Sequence, residues 1–549
     1  MEIHLLPNMH NQLHRPELLI PAGSLEKLKT AILYGADAVY CGLPDLSMRT
    51  KSTFTLDELT EGIAYAHSHG VQVYVTLNLY AHNKDIQKLP QFIGTLRKIR
   101  PDGVIIADPG VFQYVKDHAP ELKLHISTQA NITGWLSVQF WEKLGADLVV
   151  LAREVSYAEM KEIREKCPNI KLEQFVHGSM CMTYSGRCLL SNFLAERGAN
   201  QGNCAHSCRW NYKLHMKLKD GTTEELLLTE ENKDLFSFFL EEQFRPGELI
   251  PLEEDEQGAY ILNSKDLCLM PRLPELIGIG IDSFKIEGRN KTNYYAAIVT
   301  RAYRMAIDDY IKDPDSWNVD TYMKELEAVQ GRGYTLAFHD GRLTNLAHNY
   351  EHGGSQSYWE NAGFIRAWDG EDIIFEVKNT LLAGELIEFL SPNTREPIRL
   401  RLQSFEDSET AEITEKVSPG QQKAIRIPSS IFRTIDPRNV LPILTVARKK
   451  KQLTLLERKQ LRLEREEWKA EKEKTTVPPD RKLRLLANTQ EQHLPATSED
   501  AAYHKSPRLG SEGCCGKGCN GCLIFWYDPK YAAKKLELEQ HWSPNTAVK

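Results

Sequence analysis

Short apolar runs alternate with amphipathic stretches through the first half of the chain. Each run is rich in β-branched residues, and the stretch that follows it repeats its apolar residues at helical spacing. Because the runs are apolar on both faces, they predict parallel strands that are buried beneath helices. Eight such runs lie at 17–23, 38–43, 72–78, 103–108, 123–129, 147–155, 172–178 and 282–289.

Eight strand–helix units predict an α/β fold, a TIM-type (β/α)8 barrel over residues 16–310. A doubly wound open sheet is the alternative, since the same alternation also builds that fold. In a barrel the carboxyl ends of all strands meet at one mouth, where the chemistry of such folds takes place. Polar residues at or near the ends of the runs are predicted to ring this mouth: Asn78, Asp108, Gln129, Arg153, His177, Glu287 and Arg289.

The connection between the seventh and eighth runs is long and rich in cysteine. It contains an insertion at 179–262, and so long a connection inside a compact domain is usually functional. Four thiolates from one loop can hold an iron–sulfur cluster or a soft metal ion. The four are Cys181, Cys188, Cys204 and Cys208. Zinc sites more often combine two C-x2–4-C pairs, and only the last two cysteines have that spacing, so the pattern favours a cluster. Buried cysteines that act as small apolar residues are the remaining interpretation.

The second half of the chain has a different pattern. Short alternating runs separated by turn residues predict a small all-β, barrel-like domain over 331–447. A charged helix and a polar linker are expected at 448–507, and a cysteine-rich module at 508–549. The cysteines of this module suit zinc or a second cluster, and a docking role and a purely structural role both remain open. They are Cys514, Cys515, Cys519 and Cys522.

Composition narrows the class of protein. With 41% hydrophobic residues, this chain of 549 residues has the makeup of a folded protein. Its 68 basic and 75 acidic residues give a net charge of −7, which excludes a uniformly basic nucleic-acid coat. No apolar run approaches the ~18 residues of a membrane span and no signal peptide precedes the first run, so we expect a cytoplasmic protein without a membrane partner. Eleven cysteines in that compartment indicate metal ligation rather than disulfides.

Three stretches of the chain carry a family resemblance. They are ELLIPAGSLEKLKTAILYGADAVYCGL, the block EQFVHGSMCMTYSGRCLLSNF with GNCAHSCRWNY, and NSKDLCLMPRLPELIGIGIDSFKIEGRNKTNYYAAIVTRAYRMAID. Together they resemble the U32 family, labelled peptidase or collagenase-like, whose better understood members carry a [4Fe–4S] cluster and hydroxylate RNA or quinones. The form with a second β-rich domain is similar to prephenate-dependent hydroxylases that make 5-hydroxyuridine at the wobble position 34 of tRNA.

The resemblance implies roles for individual residues. The cluster ligands of the family fall on Cys181, Cys188 and Cys204, with Cys208 as the fourth ligand and Cys268 as its rival. Prephenate, the implied co-substrate, carries two carboxylates, which guanidinium groups bind bidentately. Each arginine near the mouth would equally suit an ordinary ion pair at the barrel rim. The residues expected in catalysis or co-substrate binding are Arg153, His177, Arg187, Glu287 and Arg289.

An RNA substrate requires cations for its phosphates and an aromatic ring for an unpaired base. Arg209, Trp210, Lys213 and Lys291 are the expected tRNA contacts, with packing of the loop as the alternative role of Trp210. The electron donor is left open.

Three other functions remain as alternatives. They are hydroxylation of another RNA such as 23S rRNA at a cytidine, a non-catalytic scaffold, and a peptidase in which His177 activates Cys181. The peptidase is disfavoured because His177 lies at a strand end rather than on a helix with Cys181. The chain also lacks HExxH and GxSxG motifs.

Overall fold

The computed structural model describes most of the barrel and of the β domain. The described residues are 14–42, 54–78, 81–181, 183–188, 190–195, 207–209, 238–241, 249–255, 258–260, 264–329, 331–341, 357–420, 423–432 and 436–451. Cys204, Trp210, Lys213, residues 452–507 of the expected charged helix and linker, and the module at 508–549 therefore lie outside the described residues.

Seven strands alternate with helices in the amino-terminal part. Apolar residues at helical spacing and side-chain N-caps such as Ser24 and Thr55 set the helices. The elements are β1 (Glu17–Pro21), α1 (Leu25–Leu33), β2 (Ala38–Gly42), α2 (Leu56–Ser68), β3 (Gln72–Leu77), α3 (Asn83–Ile86), α4 (Leu89–Ile99), β4 (Gly103–Ile106), α5 (Pro109–His118), β5 (Lys123–Ile126), α6 (Trp135–Leu144), β6 (Leu148–Val150), α7 (Tyr157–Lys166) and β7 (Lys171–Ser179).

The long connection and the eighth barrel strand follow. The elements are α8 (Leu190–Ala195), β8 (Phe238–Glu241), β9 (Leu249–Asp255), β10 (Gly258–Tyr260), β11 (Asp266–Cys268), α9 (Leu273–Gly278), β12 (Ser283–Ile286), α10 (Asn293–Lys312), α11 (Val319–Leu326) and β13 (Tyr334–Thr335). Strands β8 to β10 form a small antiparallel sheet.

The barrel is closed. Strands β1 to β7 pair in parallel in chain order, and β12 pairs in parallel with both β7 and β1. This closure confirms the TIM-type barrel and excludes the open sheet. Alternate side chains of β1 pack on opposite faces of the barrel wall. Leu18 and Ile20 belong to the cluster beneath the helices, and Leu19 belongs to a small cluster with Tyr40 and Tyr74 inside the barrel.

The wall of the barrel is extended beyond β7. Strand β11 pairs antiparallel with the end of β7 and places Cys268 opposite His177, and β13 pairs in parallel with β11. The mouth is therefore bordered on this side by strands that are not part of the eightfold repeat.

A second, all-β domain follows the barrel, as expected. Its elements are β14 (Trp359–Asp369), β15 (Asp372–Val377), β16 (Leu381–Leu382), β17 (Leu386–Phe389), β18 (Ile398–Arg401), β19 (Phe405–Asp407), β20 (Ile413–Thr414), β21 (Lys416–Val417), β22 (Ala424–Ile427), α12 (Pro437–Val440) and β23 (Val446–Lys450). The main sheet has eight antiparallel strands in the order β18-β17-β23-β14-β15-β22-β19-β20.

Buried hydrogen bonds join the β domain to the barrel helices. The hydroxyl of Tyr34, which follows α1, donates to the carbonyl of Leu390 at 2.7 Å and accepts from the backbone N–H of Val446 at 3.0 Å. Arg301 of α10 donates to the carbonyl of Ser391 at 3.2 Å. None of the helices among the described residues is long and apolar enough to cross a membrane.

Candidate active site at the mouth of the barrel

A cavity of about 470 Å³ lies at the carboxyl ends of the barrel strands. This volume falls in the range of small-molecule sites, and its place is where barrel enzymes carry their chemistry. Five of the seven polar residues that the sequence placed around the mouth line the cavity: Asn78, Gln129, Arg153, Glu287 and Arg289.

Asp108 and His177 do not line the cavity, which corrects the expected ring. Asp108 caps helix α5, where its side chain accepts the backbone N–H groups of Gly110 at 2.8 Å and Val111 at 3.0 Å. His177 is 2% exposed. Its ring lies 5.4 to 6.0 Å from the ring centroids of Tyr295, Tyr303 and Tyr334.

The environment of His177 suits packing rather than proton transfer. Burial lowers the pKa of His177 to about 3, so its ring is neutral at physiological pH. His177 is enclosed because strand β11 and the tyrosines of α10 cover this end of β7, and only long-range pairing brings them there.

Three of the four expected cluster ligands line one cavity. Cys181 follows β7, and Cys208 lies in a short 3-10 helix, Ser207–Arg209. Cys188 follows a turn, in which the N–H of Arg187 donates to the carbonyl of Tyr184 at 3.0 Å. No set of three His, Cys, Asp or Glu side chains within the described residues stands at metal-binding separation. Three thiols on the wall of one cavity are nevertheless the soft donor set that an iron–sulfur cluster uses.

Cys268, the rival fourth ligand, lies elsewhere. Its side chain is fully buried, and its sulfur stands 3.8 Å from the Tyr303 hydroxyl and 3.9 Å from the Met323 sulfur. Burial raises the pKa of this thiol to about 12, which disfavours the thiolate that a cluster needs. Cys208 lines the cavity, whereas Cys268 does not.

The cavity is strongly cationic. Of the described residues that line it, five carry a positive charge, and Glu287 alone carries a negative one. The five are Arg153, Lys285, Arg289, Lys291 and Arg332. Such a lining favours an anionic ligand, because a concave site with walls of low dielectric focuses the field of its charges.

Arg153 is a buried guanidinium on the wall of the cavity. It is held by an ion pair of 2.8 Å with Glu287 and lies 4.1 Å above the ring of Phe175. Its side chain is 9% exposed, and its Nε has no hydrogen-bond partner among the residues that the structure describes. The ion pair expected as the alternative thus exists, and it leaves the buried Nε of this cavity-lining residue without a partner among the described residues.

Arg289 is fixed through its backbone as well as its side chain. Its guanidinium donates to the Thr76 hydroxyl at 2.7 Å, and Lys27 donates to its carbonyl at 3.3 Å. A Cβ atom at Gly23 would lie 2.3 Å from the same carbonyl oxygen, so the β1 loop approaches it closely only because residue 23 is glycine.

Below the cavity, the barrel contains a buried polar layer. The register of three adjacent strands places Glu173, Ser283 and Glu17 side by side, and the Ser283 hydroxyl lies 3.0 Å from an oxygen of each carboxylate. Lys285 donates to Glu173 at 2.7 Å. Burial, followed by the charge of Glu173, raises the pKa of Glu17 to about 7.

The remaining expected residues divide between the cavity and other surroundings. Lys291 lines the cavity, with its ammonium 5.4 Å from the Tyr295 ring, whereas Arg187 is exposed and does not line it. The backbone of Arg209 lies in the 3-10 helix beside Cys208, and its side chain is outside the described part of the chain.

Arg332 and Tyr184 are two of the cavity residues that the sequence analysis did not predict. Arg332 follows α11, beyond the predicted end of the barrel, and its bond to Asp266 brings it to the mouth. Tyr184 lies between two of the cavity cysteines and is 62% exposed. The Gly-Arg-Gly sequence around Arg332 and an aromatic residue inside the cysteine loop were the available signals.

Fold and site together define a (β/α)8-barrel protein with cysteines and cations around one cavity at its mouth. The chain belongs to peptidase family U32, whose family model matches residues 23–349. A relative in Escherichia coli (strain K12), "tRNA hydroxylation protein P", is 36% identical over 434 residues, which cover 75% of this chain and 94% of the relative.

Two further relatives show the range of names in the family. "tRNA hydroxylation protein P1" of Bacillus subtilis (strain 168) is 35% identical over 69% of this chain and 84% of its own length. "Collagenase" of Porphyromonas gingivalis (strain ATCC BAA-308 / W83) is 30% identical over 74% of this chain and 96% of its own length.

Proposed function

We propose that this protein is a tRNA-modifying hydroxylase that forms 5-hydroxyuridine at position 34, with a [4Fe–4S] cluster and prephenate as co-substrate. The observation that carries the proposal is that three cysteines and five cations line a single cavity at the catalytic end of the barrel. The names of the E. coli and B. subtilis relatives support tRNA hydroxylation, because this chain matches most of the length of each.

The cysteines of the cavity fit an iron–sulfur cluster by their chemistry. Cys181, Cys188 and Cys208 would hold it together with Cys204, which lies outside the described residues. When bound, the cluster supplies the one-electron redox chemistry that side chains lack and that oxidation of an unactivated ring carbon requires. The polypeptide contributes binding, orientation and electrostatics around that centre.

The arginines of the cavity suit a small dicarboxylate such as prephenate. Arg153 offers a buried N–H without a partner among the described residues, and Arg289 and Arg332 line the same cavity. Guanidinium groups bind carboxylates bidentately and keep their charge, and burial strengthens the interaction. Glu287 keeps the Arg153 guanidinium in place through their ion pair.

The position of the cavity also suits an RNA base. A uridine within a loop must leave its stack to reach the mouth of a barrel, and the cost is smallest where the base is already unpaired. Lys291 stands at the mouth, where a cation neutralises backbone phosphate. The wobble nucleotide of an anticodon loop meets the requirement for an unpaired base.

Proteolysis by a Cys–His pair is not supported by the surroundings of these residues. Cys181 is exposed and lines the cavity, whereas His177 is enclosed by three tyrosine rings and does not line it. A general base must reach the proton of its nucleophile, and a buried ring with a pKa of about 3 is poorly suited to take it.

The experiment is mass spectrometry of nucleosides from tRNA of a strain that lacks its own tRNA hydroxylation proteins. Expression of this chain should restore 5-hydroxyuridine and its derivatives, and Cys188→Ala should not. Cys167→Ala is a matched control, because Cys167 is a buried cysteine that does not line the cavity. Unmodified tRNA despite expression of folded wild-type protein would refute the proposal.

A further inference from the structure

Tyr184 is an exposed aromatic residue at the entrance of the cavity. Its side chain is 62% exposed, and it lies between Cys181 and Cys188 on the cavity wall. Among the residues described, Phe140 on α6 is the other exposed aromatic side chain, and it does not line the cavity. A large ring held in solvent beside a charged cavity forgoes burial, which is a feature of ligand-binding surfaces.

The backbone around Tyr184 is held firmly. The next residue, Ser185, is buried, and its N–H and hydroxyl both donate to one oxygen of Glu154, at 2.8 and 3.2 Å. On the other side of a turn through Gly186, at φ +75°, the N–H of Arg187 donates to the Tyr184 carbonyl at 3.0 Å. The ring is therefore presented from a fixed support, which lowers the entropy lost when a ligand packs on it.

The charges of the cavity indicate what packs on the ring. Arg153, Arg289 and Lys291 line the same cavity, so a partner that enters it is expected to be anionic. An aromatic face beside cations is the combination that binds single-stranded nucleic acid, because the ring stacks on a base and the cations neutralise phosphates. A peptide would use the ring but would gain less from the cations.

We propose that Tyr184 is a stacking platform for an unpaired nucleobase of the RNA at the entrance of the cavity. The inference rests on the proposed function and deepens it, since it assigns recognition to a single-stranded loop rather than to a duplex. Tyr184 is then a positioning residue that holds the RNA while another nucleotide enters the cavity.

The test measures binding of a fluorescein-labelled anticodon stem-loop RNA, and of a duplex RNA of the same length, to the full chain by fluorescence anisotropy. Stacking on an aromatic side chain contributes ~1–3 kcal/mol per base, so Tyr184→Ala should weaken stem-loop binding by about 5- to 150-fold. Duplex binding should not change. Tyr184→Phe keeps the ring and should bind like wild type, and Phe140→Ala is the matched control for loss of an exposed ring.

A spectroscopic signal separates stacking from a structural role. A 2-aminopurine base in the loop should be quenched on binding to wild type and to Tyr184→Phe, but not to Tyr184→Ala under saturating protein. Unchanged affinity and quenching in Tyr184→Ala would overturn the inference, as would an equal loss of stem-loop and duplex binding. Displacement of the RNA by a collagen-like peptide from wild type but not from Tyr184→Ala would assign the ring to peptide binding instead.

Failure of the proposed function and failure of the stacking inference give different results. If wild type binds the stem-loop and quenches its 2-aminopurine fluorescence but forms no 5-hydroxyuridine, the hydroxylase proposal fails and the stacking inference stands. If wild type hydroxylates tRNA and Tyr184→Ala does so with an unchanged KM, the stacking inference alone fails.

Discussion

Replacement of Lys285 tests the polar layer that supports the cavity. Lys285 is 4% exposed, lines the cavity, and donates at 2.7 Å to Glu173, which is fully buried. Lys285→Met keeps the length of the side chain and removes its charge. The carboxylate of Glu173 then retains the Ser283 hydroxyl as its hydrogen-bond donor and faces a second carboxylate, Glu17.

The expected loss is large for a single substitution. At an effective dielectric constant of about 20, unit charges 2.7 Å apart attract by about 6 kcal/mol. Part of this is recovered because the ammonium is no longer desolvated, and removal of one partner of a buried pair typically costs about 3–5 kcal/mol. The double variant Glu173→Gln/Lys285→Met removes both charges of the pair, so its free energy of unfolding should lie within about 1 kcal/mol of the wild-type value.

Urea unfolding followed by circular dichroism measures these differences. Lys29→Met is the control, because Lys29 forms an ion pair of 2.6 Å with Glu61 whose side chains are 28% and 58% exposed. Its loss should cost less than about 1 kcal/mol. A Lys285→Met variant as stable as Lys29→Met, or a double variant whose loss equals the sum of the single losses, would refute the reasoning.

Two further results are expected. Burial raises the pKa of Glu17 from 4.5 to about 7, so between these values the native state keeps a proton that the unfolded chain has lost, and the stability of wild type decreases as pH rises through this window. Relative to wild type, Glu17→Gln should therefore gain about 2 kcal/mol of unfolding free energy between pH 5 and pH 8. Parallel pH profiles of the two proteins would contradict this. Arg153→Met should weaken binding of prephenate, the proposed co-substrate, about 10- to 150-fold in calorimetry, since a hydrogen bond to a charged group contributes ~1.5–3 kcal/mol. Arg187→Met, at an exposed residue outside the cavity lining, should leave the affinity unchanged. Equal affinities in both variants would exclude Arg153 as a ligand group.

The barrel could be predicted from sequence because its signal is local. Each of the eight runs is apolar on both faces, and the residues that end a parallel strand must meet at one mouth, which is why Arg153, Glu287 and Arg289 were placed correctly. The cysteine loop carried its own signal in the spacing of Cys181 and Cys188.

The rest depends on contacts between distant segments. His177 has the sequence position of a rim residue, but β11 and α10 enclose it, and no local pattern indicates that pairing. Arg332 reaches the mouth through Asp266, a partner 66 residues earlier in the chain. Cys268 lies near the cysteine loop in sequence and yet packs against Tyr303, because the strand that carries it turns its side chain into the core.

Iron analysis of anaerobically purified protein tests the central claim most directly, namely that the cysteines of the cavity hold a redox cluster. Wild type and Cys268→Ala should each contain about four irons at the cavity and show the brown absorption of a cluster. Cys188→Ala should lose the iron and the absorption. Wild-type protein that holds only zinc, or Cys188→Ala protein that keeps its iron while Cys268→Ala loses it, would contradict the assignment.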